Sequence, residues 1–451
     1  MHAKIFHLMI GRAMLSFLMG FAVLFFQACG GNASKDNTLA SIGEGTAAVV
    51  FAPPGLGVRD FGDRTRGGLD GSVLRVTNLN GEGQGSLRAA LAAEGPRVIV
   101  FEVAGVIDLG METLRIREPF VTVAGETAPS PGITIIKGGI SITSHDVVIR
   151  HLKVRPGDAG QAKQSGWEPD GMTTSGGEAY NVVIEHCSAT WAVDENISVS
   201  GPNTEGPDAT SHQVTIQHCI IAEGLDDAPH SKGKHSKGSL VHDFCRDIAI
   251  VGNLYAHNIQ RNPYFKAFTT GAIVNNVIYN PGTDGVQLNY AASEWEATGI
   301  APENPMVSIV GNVMLHGADT RPGLALVRSR GDAYLEDNMA IDASGQSVVM
   351  TSGEITVLPD RPVWPIGLTA HPSANVIDLV VKNVGARPWD RDAVDLKIIE
   401  DLGNRQGRVI DSQEEVGGYP VVEEVRRPLA VPTTDLETWP RSFELEMMSQ
   451  E

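Results

Sequence analysis

Apolar residues recur along this chain in pairs two positions apart, each pair followed three residues later by a bend position. The pattern occurs at Val147/Ile149/Leu152, Val182/Ile184/Cys187, Val214/Ile216/Cys219, Ile248/Ile250/Asn253 and Val307/Ile309/Asn312, with weaker copies at Ile273/Asn276 and Ala333/Leu335/Asn338. Alternation at period two marks short strands with one buried face. Successive bends lie 35, 32, 34, 23, 36 and 26 residues apart. The shortest interval suits one turn of a parallel β-helix, and the longer ones suit that turn plus a loop. A solenoid accepts such insertions because each coil touches only its neighbours. A propeller would need a regular interval and a blade signature. The expected fold is therefore all-β, a right-handed parallel β-helix.

The bend residues carry their own physical logic. Asparagines stacked about 4.8 Å apart, the interstrand spacing, pass side-chain amide hydrogen bonds along the coil axis. Asn253, Asn276, Asn312 and Asn338 are expected to form such a ladder. Cys187 and Cys219 fall one above the other on adjacent coils, where parallel side chains strain a disulfide, so stacked free thiols are expected. Open coil ends need covers. Gly85 to Leu91 reads as a Ser86-capped helix over the first coils. Val394, Ile398, Ile399 and Leu402 have helical spacing in Asp392 to Leu402, a second helix expected on the outside or end of the C-terminal coils.

The N-terminus belongs to targeting, not to the fold. Lys4 and Arg12 precede the apolar run Met14 to Phe26, which is short for a bilayer span. Ala28-Cys29-Gly30 after it resembles the lipobox of bacterial lipoproteins, with Phe26 a poor match to the usual leucine and ordinary signal cleavage left open. The expected organisation is a signal peptide over 1–28, a flexible tether over 29–48, the β-helix over 49–385, and a C-terminal helical or extended segment over 386–451 packing on it. The formal charge is −19, and residues 1–28 hold two cations and no acid, so the exported chain is more acidic still. That argues against nucleic acid or anionic lipid as partners. The membrane contact expected is a lipid anchor alone, and the protein a monomer. An anionic substrate would need a local cationic or metal-bearing patch. Beyond Cys29 only Cys187, Cys219 and Cys245 remain, with no CxxC, which excludes a disulfide scaffold and a zinc ribbon.

Several motifs then fall in a telling order. They are Arg75 to Asn80, Gly85 to Leu91, Val121 to Pro129, Ile149-Arg150-His151-Leu152-Lys153-Val154-Arg155-Pro156-Gly157-Asp158, and Glu185-His186-Cys187-Ser188-Ala189-Thr190-Trp191. Val193-Asp194-Glu195, Ala256-His257-Asn258, Arg261-Asn262-Pro263 and Gly417-Gly418-Tyr419-Pro420 follow. In this order, those over Phe51 to Tyr290 resemble the pectate lyases of polysaccharide lyase family one, and Gly417 to Pro420 resembles the C-terminal end of such enzymes. The resemblance implies calcium-dependent β-elimination on (1→4)-linked galacturonan and a polygalacturonate or pectin partner, while the leader implies an exported protein, either an outer-membrane lipoprotein or secreted or periplasmic.

By that resemblance Asp170 and Asp194 are calcium ligands, with Glu195 a further one, and oxygen ligands on loops suit Ca²⁺. The family's additional acids fall here on Met172 and Ser198, which implies a thinner shell. Arg261 matches the catalytic arginine and Lys266 a second cation five residues on. An arginine base has a pKa above 12 and needs nearby cations and alkali. In the run His230 to Gly238, Lys232 is the first candidate for the substrate carboxylate and Lys237 the second; metal binding through His230 and His235 lacks a third ligand at the usual spacing. Arg150, Lys153 and Arg155 either extend a cationic groove or balance Asp158. A lyase on methylated pectin or another uronan, and a non-catalytic glycan-binding β-helix, stay open. If Cys29 carries the lipid, Cys29→Ser should release the protein from membrane fractions; a wild type already free of membranes would refute the anchor.

Overall fold

The computed structural model describes residues 61–62, 65–69, 71–202, 204–432, 436 and 438–448. The leader, Cys29 and the tether lie outside the described residues. None of the helices described is long and apolar enough to cross a membrane. The described residues form one compact unit.

The apolar pairs build a solenoid of three parallel ladders. Each coil contributes one strand to each ladder, as in Glu195–Ser200, His212–Gln217 and Ile220–Ala222, followed one coil on by Lys237–Val241, Arg246–Val251 and Leu254–Ala256. Register follows the repeat: Val147, Val182, Val214 and Ile248 pair in sequence, and Ile250, Ile273, Ile309 and Leu335 continue the row two residues on. The paired residues at repeat positions one and three, from Val147/Ile149 to Val307/Ile309, are wholly buried. The architecture is the right-handed parallel β-helix that the repeat predicts.

A left-handed residue joins the second-ladder strand to the third at nearly every coil: His151, His186, His218, Gly252, Asn275, Gly311 and Asp337 all have φ between 46° and 67°. The next residue is the bend position of the repeat. There Asn253 donates to Asn276, Asn276 to Asn312 and Asn312 to Asn338, through backbone and side-chain amides at 2.9 to 3.0 Å. Cys219 starts the row by donating its backbone N–H to Asn253 Oδ1 at 2.8 Å. Cys187 and Cys219 are free and buried, as the stacking argument requires, and Cys245 is likewise free and buried.

Helix α1 (Leu87–Leu91) covers the first coils, capped by Ser86, whose Oγ accepts from Ala89 N at 3.2 Å. Beyond the last strand of the parallel ladders, Thr351–Val357, come α2 (Val376–Asn383) and α3 (Ala393–Asn404). Both lie against the outer face of the third ladder, where Val376, Val380, Ile398 and Leu402 meet Ile220, Leu254, Val277 and Val313. The expected helix is present, with Asp392 as its N-cap, but it packs on the middle coils and not on the last ones. Its first turn explains two cations, Arg155 and Lys153. Arg155 donates to Asp392 at 2.7 and 2.9 Å and to Asp395 at 2.8 Å, and Lys153 Nζ lies 3.7 Å from Asp392. Arg150 pairs with buried Glu126 at 2.5 Å. None of the three lines the candidate site or balances Asp158, which instead bonds Ser412 and Gln413. Tyr419 donates to Pro156 O at 2.6 Å, and a Cβ at Gly157 would strike its hydroxyl, so this glycine is fixed by the close approach. After these contacts Val425–Arg426 pairs antiparallel with Val103 and Ala104 near the first coils.

Asn276→Ala would strand the Asn253 N–H and take the side-chain donor from the Ile250 carbonyl, while the Val274 carbonyl keeps the Gly252 N–H at 2.9 Å. Each buried orphan costs about 1–3 kcal/mol. Denaturant unfolding should show the loss of two such units, about 2 kcal/mol or more; a variant as stable as wild type would mean that the ladder contributes nothing to stability.

Candidate functional site

The candidate site forms on the outer face of the first ladder. Met172–Ser175, Glu195–Ser200, Lys237–Val241 and Tyr264–Phe265 stack there, bringing Thr173, Ser198, Leu240 and Tyr264 into one row. A cleft of about 400 Å³ opens over this face. Asp170, Asp194, Glu195, Lys232, His235, His242, Arg261, Lys266 and Glu294 are the ionisable groups along it, among them all but one of the residues expected from the sequence.

Alternation explains the thin acid shell. Met172 faces inward and is fully buried in the core, so its position cannot offer a ligand to the cleft. Ser198 faces out and donates to Asp170 Oδ2 at 2.6 Å, while the Glu195 backbone N–H donates to Asp170 Oδ1 at 3.1 Å. Oxygens of Asp170, Asp194 and Glu195 lie within 4.8 Å of one another, each offering one atom to a common centre. This crowding has an electrostatic signature. Burial, and then the neighbouring Asp194 carboxylate, push the Asp170 carboxyl up to about 7. Burial acts on Asp194 in the same sense, but the His235 hydrogen bond and the charges of His235, Arg261 and His230 outweigh it and hold Asp194 below its ordinary value.

Arg261 faces these acids from the next coil but one. Its guanidinium pairs with Glu195 and lies 5.7 Å from the Tyr264 ring centroid. Burial depresses its pKa, against the opposing pull of Asp194. The backbone at Arg261 is left-handed (φ 64°), and the following Asn262–Pro263 bond is cis. An asparagine relay holds this turn. Asn196 donates to Asn258 at 3.2 Å, Asn258 to Asn262 at 3.1 Å, and Asn262 to the carbonyl of Asp284 at 2.9 Å. Asn196 follows Glu195 directly and Asn262 follows Arg261, so the relay ties the acid strand to the arginine turn.

The lysines divide into three situations. Lys232 is exposed at the rim and forms no ion pair with another described residue. Lys237 is buried beside the cleft and not on its wall, with its ammonium donated to Gln260; burial lowers its pKa. Lys266 lines the cleft but is already engaged by Asp243 at 2.9 Å and Glu294 at 2.6 Å. Sequence reasoning passed over His242, Tyr264 and Glu294 as wall residues. The in-register continuation of the Ser198 and Ser200 row could have found the first two. Glu294 sits in a loop with no repeat signal.

Against this geometry, the relatives are informative. The chain is 30% identical to the probable pectate lyase C of Aspergillus flavus over 386 residues, covering 83% of this chain and 82% of the relative. With the probable pectate lyase C of Neosartorya fischeri it shares 30% identity over 396 residues, covering 84% of each. The chain belongs to the pectate lyase family. Its fold matches that of jun a 1, the major allergen from cedar pollen, with a TM-score of 0.53 at 15% identity over 73% of this chain and 92% of the other. No protein-family model matches this member.

The raised Asp170 carboxyl has a stability consequence in metal-free protein. Between an ordinary aspartate pKa of about 4 and its folded value of about 7, Asp170 keeps a proton that the unfolded chain has released. Stability contributed by this group is therefore full at low pH and declines as pH rises through that window. With chelator present, Asp170→Asn should flatten the stability-versus-pH slope between those limits. An unchanged slope would place the proton elsewhere.

Proposed function

We propose that this pectate lyase family member cleaves (1→4)-linked galacturonan by calcium-assisted β-elimination, with Arg261 as the base. The observation that carries the reading is the convergence of three carboxylates and one partly desolvated arginine on a single open cleft. Asp170, Asp194 and Glu195 would hold the ion. Their fit rests on the all-oxygen donor set and on the crowding that forces Asp170 upward, a strain that a divalent cation relieves. When bound, calcium neutralises the substrate carboxylate and stabilises charge developing beside it.

The chain's own residues account for the remainder. Arg261 takes the C5 proton; the C5–H electron pair becomes the C4=C5 double bond, and the C4–O bond breaks. The departing oxygen regains a proton, so no water is consumed. For this Arg261 must be neutral, and its burial moves it in that direction. Release of the guanidinium from Glu195 is a second requirement, met if Glu195 turns toward the ion. Lys232, unengaged at the rim, is the group free to bind a substrate carboxylate. Lys266 serves that role less directly, because two acids already share its charge. Lys237 supports the Gln260 segment that leads into Arg261. Residues 1–29 support export, by lipid anchor or by ordinary cleavage, to where such a polymer is met.

The test is turnover of polygalacturonate, followed by the ultraviolet absorbance of the unsaturated product. Chelation should abolish it and leave thermal unfolding near wild type. Arg261→Ala should lower kcat by about 10²–10⁴-fold. Arg261→Lys, which keeps charge but loses the planar fork, should be nearly as slow. Lys232→Ala should chiefly raise KM. The rate should climb as pH rises toward deprotonation of Arg261. Full turnover in excess chelator, or wild-type kcat in Arg261→Ala, would refute the mechanism.

A further inference from the structure

Beside the carboxylate cluster, and sharing one residue with it, lies a second group of ligating side chains with different chemistry. His230 and His235 stand in the loop between Ile220–Ala222 and Lys237–Val241, their rings stacked with centroids 3.7 Å apart. Both face Asp194. His235 Nε2 lies 2.9 Å from Asp194 Oδ1, and His230 Nε2 lies 3.8 Å from Asp194 Oδ2. All three residues offer ligand atoms within 4.8 Å of one another. The third ligand that sequence spacing lacked is thus supplied by another coil.

His230 is the decisive residue. It is fully buried, and its Nε2 has no hydrogen-bond partner, although an aspartate oxygen stands just out of reach. An orphaned, fully buried ring nitrogen aimed at a carboxylate is costly unless something bridges them. On its other side, Nδ1 accepts from the Lys232 N–H at 3.0 Å, with Glu168 Oε1 3.7 Å away, near enough to become the carboxylate partner of a metal-bound imidazole after a small shift. Tetrahedral coordination at bond lengths of about 2.0 Å sets neighbouring donors about 3.3 Å apart; the two imidazoles face different oxygens of Asp194, at 2.9 and 3.8 Å, so an ion would draw one carboxylate oxygen toward both rings.

We propose that Asp194, His230 and His235 form a binding site for a borderline transition-metal ion of the Zn²⁺ class. Two imidazoles and one carboxylate suit such an ion and are a poor set for calcium, which prefers oxygen. The proton bookkeeping is simple. In the metal-free chain the Lys232 backbone N–H donates to His230 Nδ1 at 3.0 Å, which leaves the ring proton on Nε2. Loading puts the ion on Nε2 and moves that proton to Nδ1, with Glu168 as its acceptor and the Lys232 amide displaced. His235 likewise frees its Nε2 for the ion. The fourth position remains for water or for a substrate oxygen, since Asp194 and His235 both line the cleft.

Sharing Asp194 has a consequence that rests on the calcium reading of the neighbouring acids. An ion held by the histidines withdraws Asp194 from the carboxylate cluster, so zinc should inhibit the lyase and excess calcium should relieve it.

The experiment uses the folded, chelator-stripped chain and Co²⁺ as a spectroscopic probe, with Zn²⁺ binding followed by calorimetry. One equivalent of Co²⁺ should give the intense visible bands of a low-coordinate ion. Those bands should vanish in His230→Gln and in His235→Gln, each checked for folding by circular dichroism, and persist in Asp170→Asn. Glu168→Gln should weaken Zn²⁺ binding by about 10–100-fold. Wild type showing only the aquo-ion spectrum and no zinc heat would overturn the site, as would bands that survive loss of both histidines. The outcomes are separable from those of the lyase reading. Bands without polygalacturonate turnover would leave the metal site standing alone, and calcium-driven turnover without bands would remove the metal site alone.

Discussion

Everything in this molecule depends on in-register stacking of parallel strands at a spacing of about 4.8 Å. Because each coil repeats its predecessor's inward pair, a residue's chemistry is multiplied along the axis instead of being used once. Val147, Val182, Val214 and Ile248 become a continuous apolar rod, and Asn253 to Asn338 become a continuous amide wire. The same stacking carries outward-facing groups into rows. Acids from Asp170 and from the Asp194–Glu195 pair, one coil apart, therefore converge without any loop having to fold back on itself.

Convergence of like charges carries an electrostatic cost, and the site shows where that cost is offset. Asp170 is pushed toward its neutral form, while Asp194 is held ionised by two histidines and Arg261. Arg261 itself leans on Glu195. The cleft is thus a set of paired charges in which a divalent cation and an anionic sugar can exchange partners with groups already present. Its asparagine relay, Asn196 to Asn258 to Asn262, keeps the two sides of that exchange at fixed separation. A left-handed Arg261 costs on the order of 1 kcal/mol or more, which the relay and the neighbouring strand bonds withstand.

The C-terminal segment works as a clamp along the outside of the solenoid. Asp392 and Asp395 reach Arg155 across more than 230 residues of sequence, and Ser188 Oγ donates to Asp395 at 2.6 Å. Breaking one partner of such a buried pair typically costs 3–5 kcal/mol. The clamp lies on the third ladder, away from the cleft, so it leaves the first ladder open to a long polymer.

Much of this was legible in the sequence because a solenoid writes its register into its own period. The repeat located the strands, the bend asparagines located the ladder, and the Ser86 cap and the helical spacing of Val394, Ile398, Ile399 and Leu402 located two helices, each from interactions a few residues long. Asp170, Asp194, Glu195, Arg261, Lys232 and Lys266 line one cleft. What could not be read locally were partners chosen across coils. Lys153 and Arg155 looked available to a groove until Asp392 and Asp395 claimed them. Lys266 looked like a free cation until Asp243 and Glu294 flanked it. His230 and His235 lacked a third ligand until Asp194 arrived from the preceding coil. Sequence alone determined the period, the inward face and the residue types on the outward rows, because these follow from alternation within a strand. Tertiary structure decided which charges neutralise one another, because pairing depends on loop lengths and coil stacking that no short window of sequence contains.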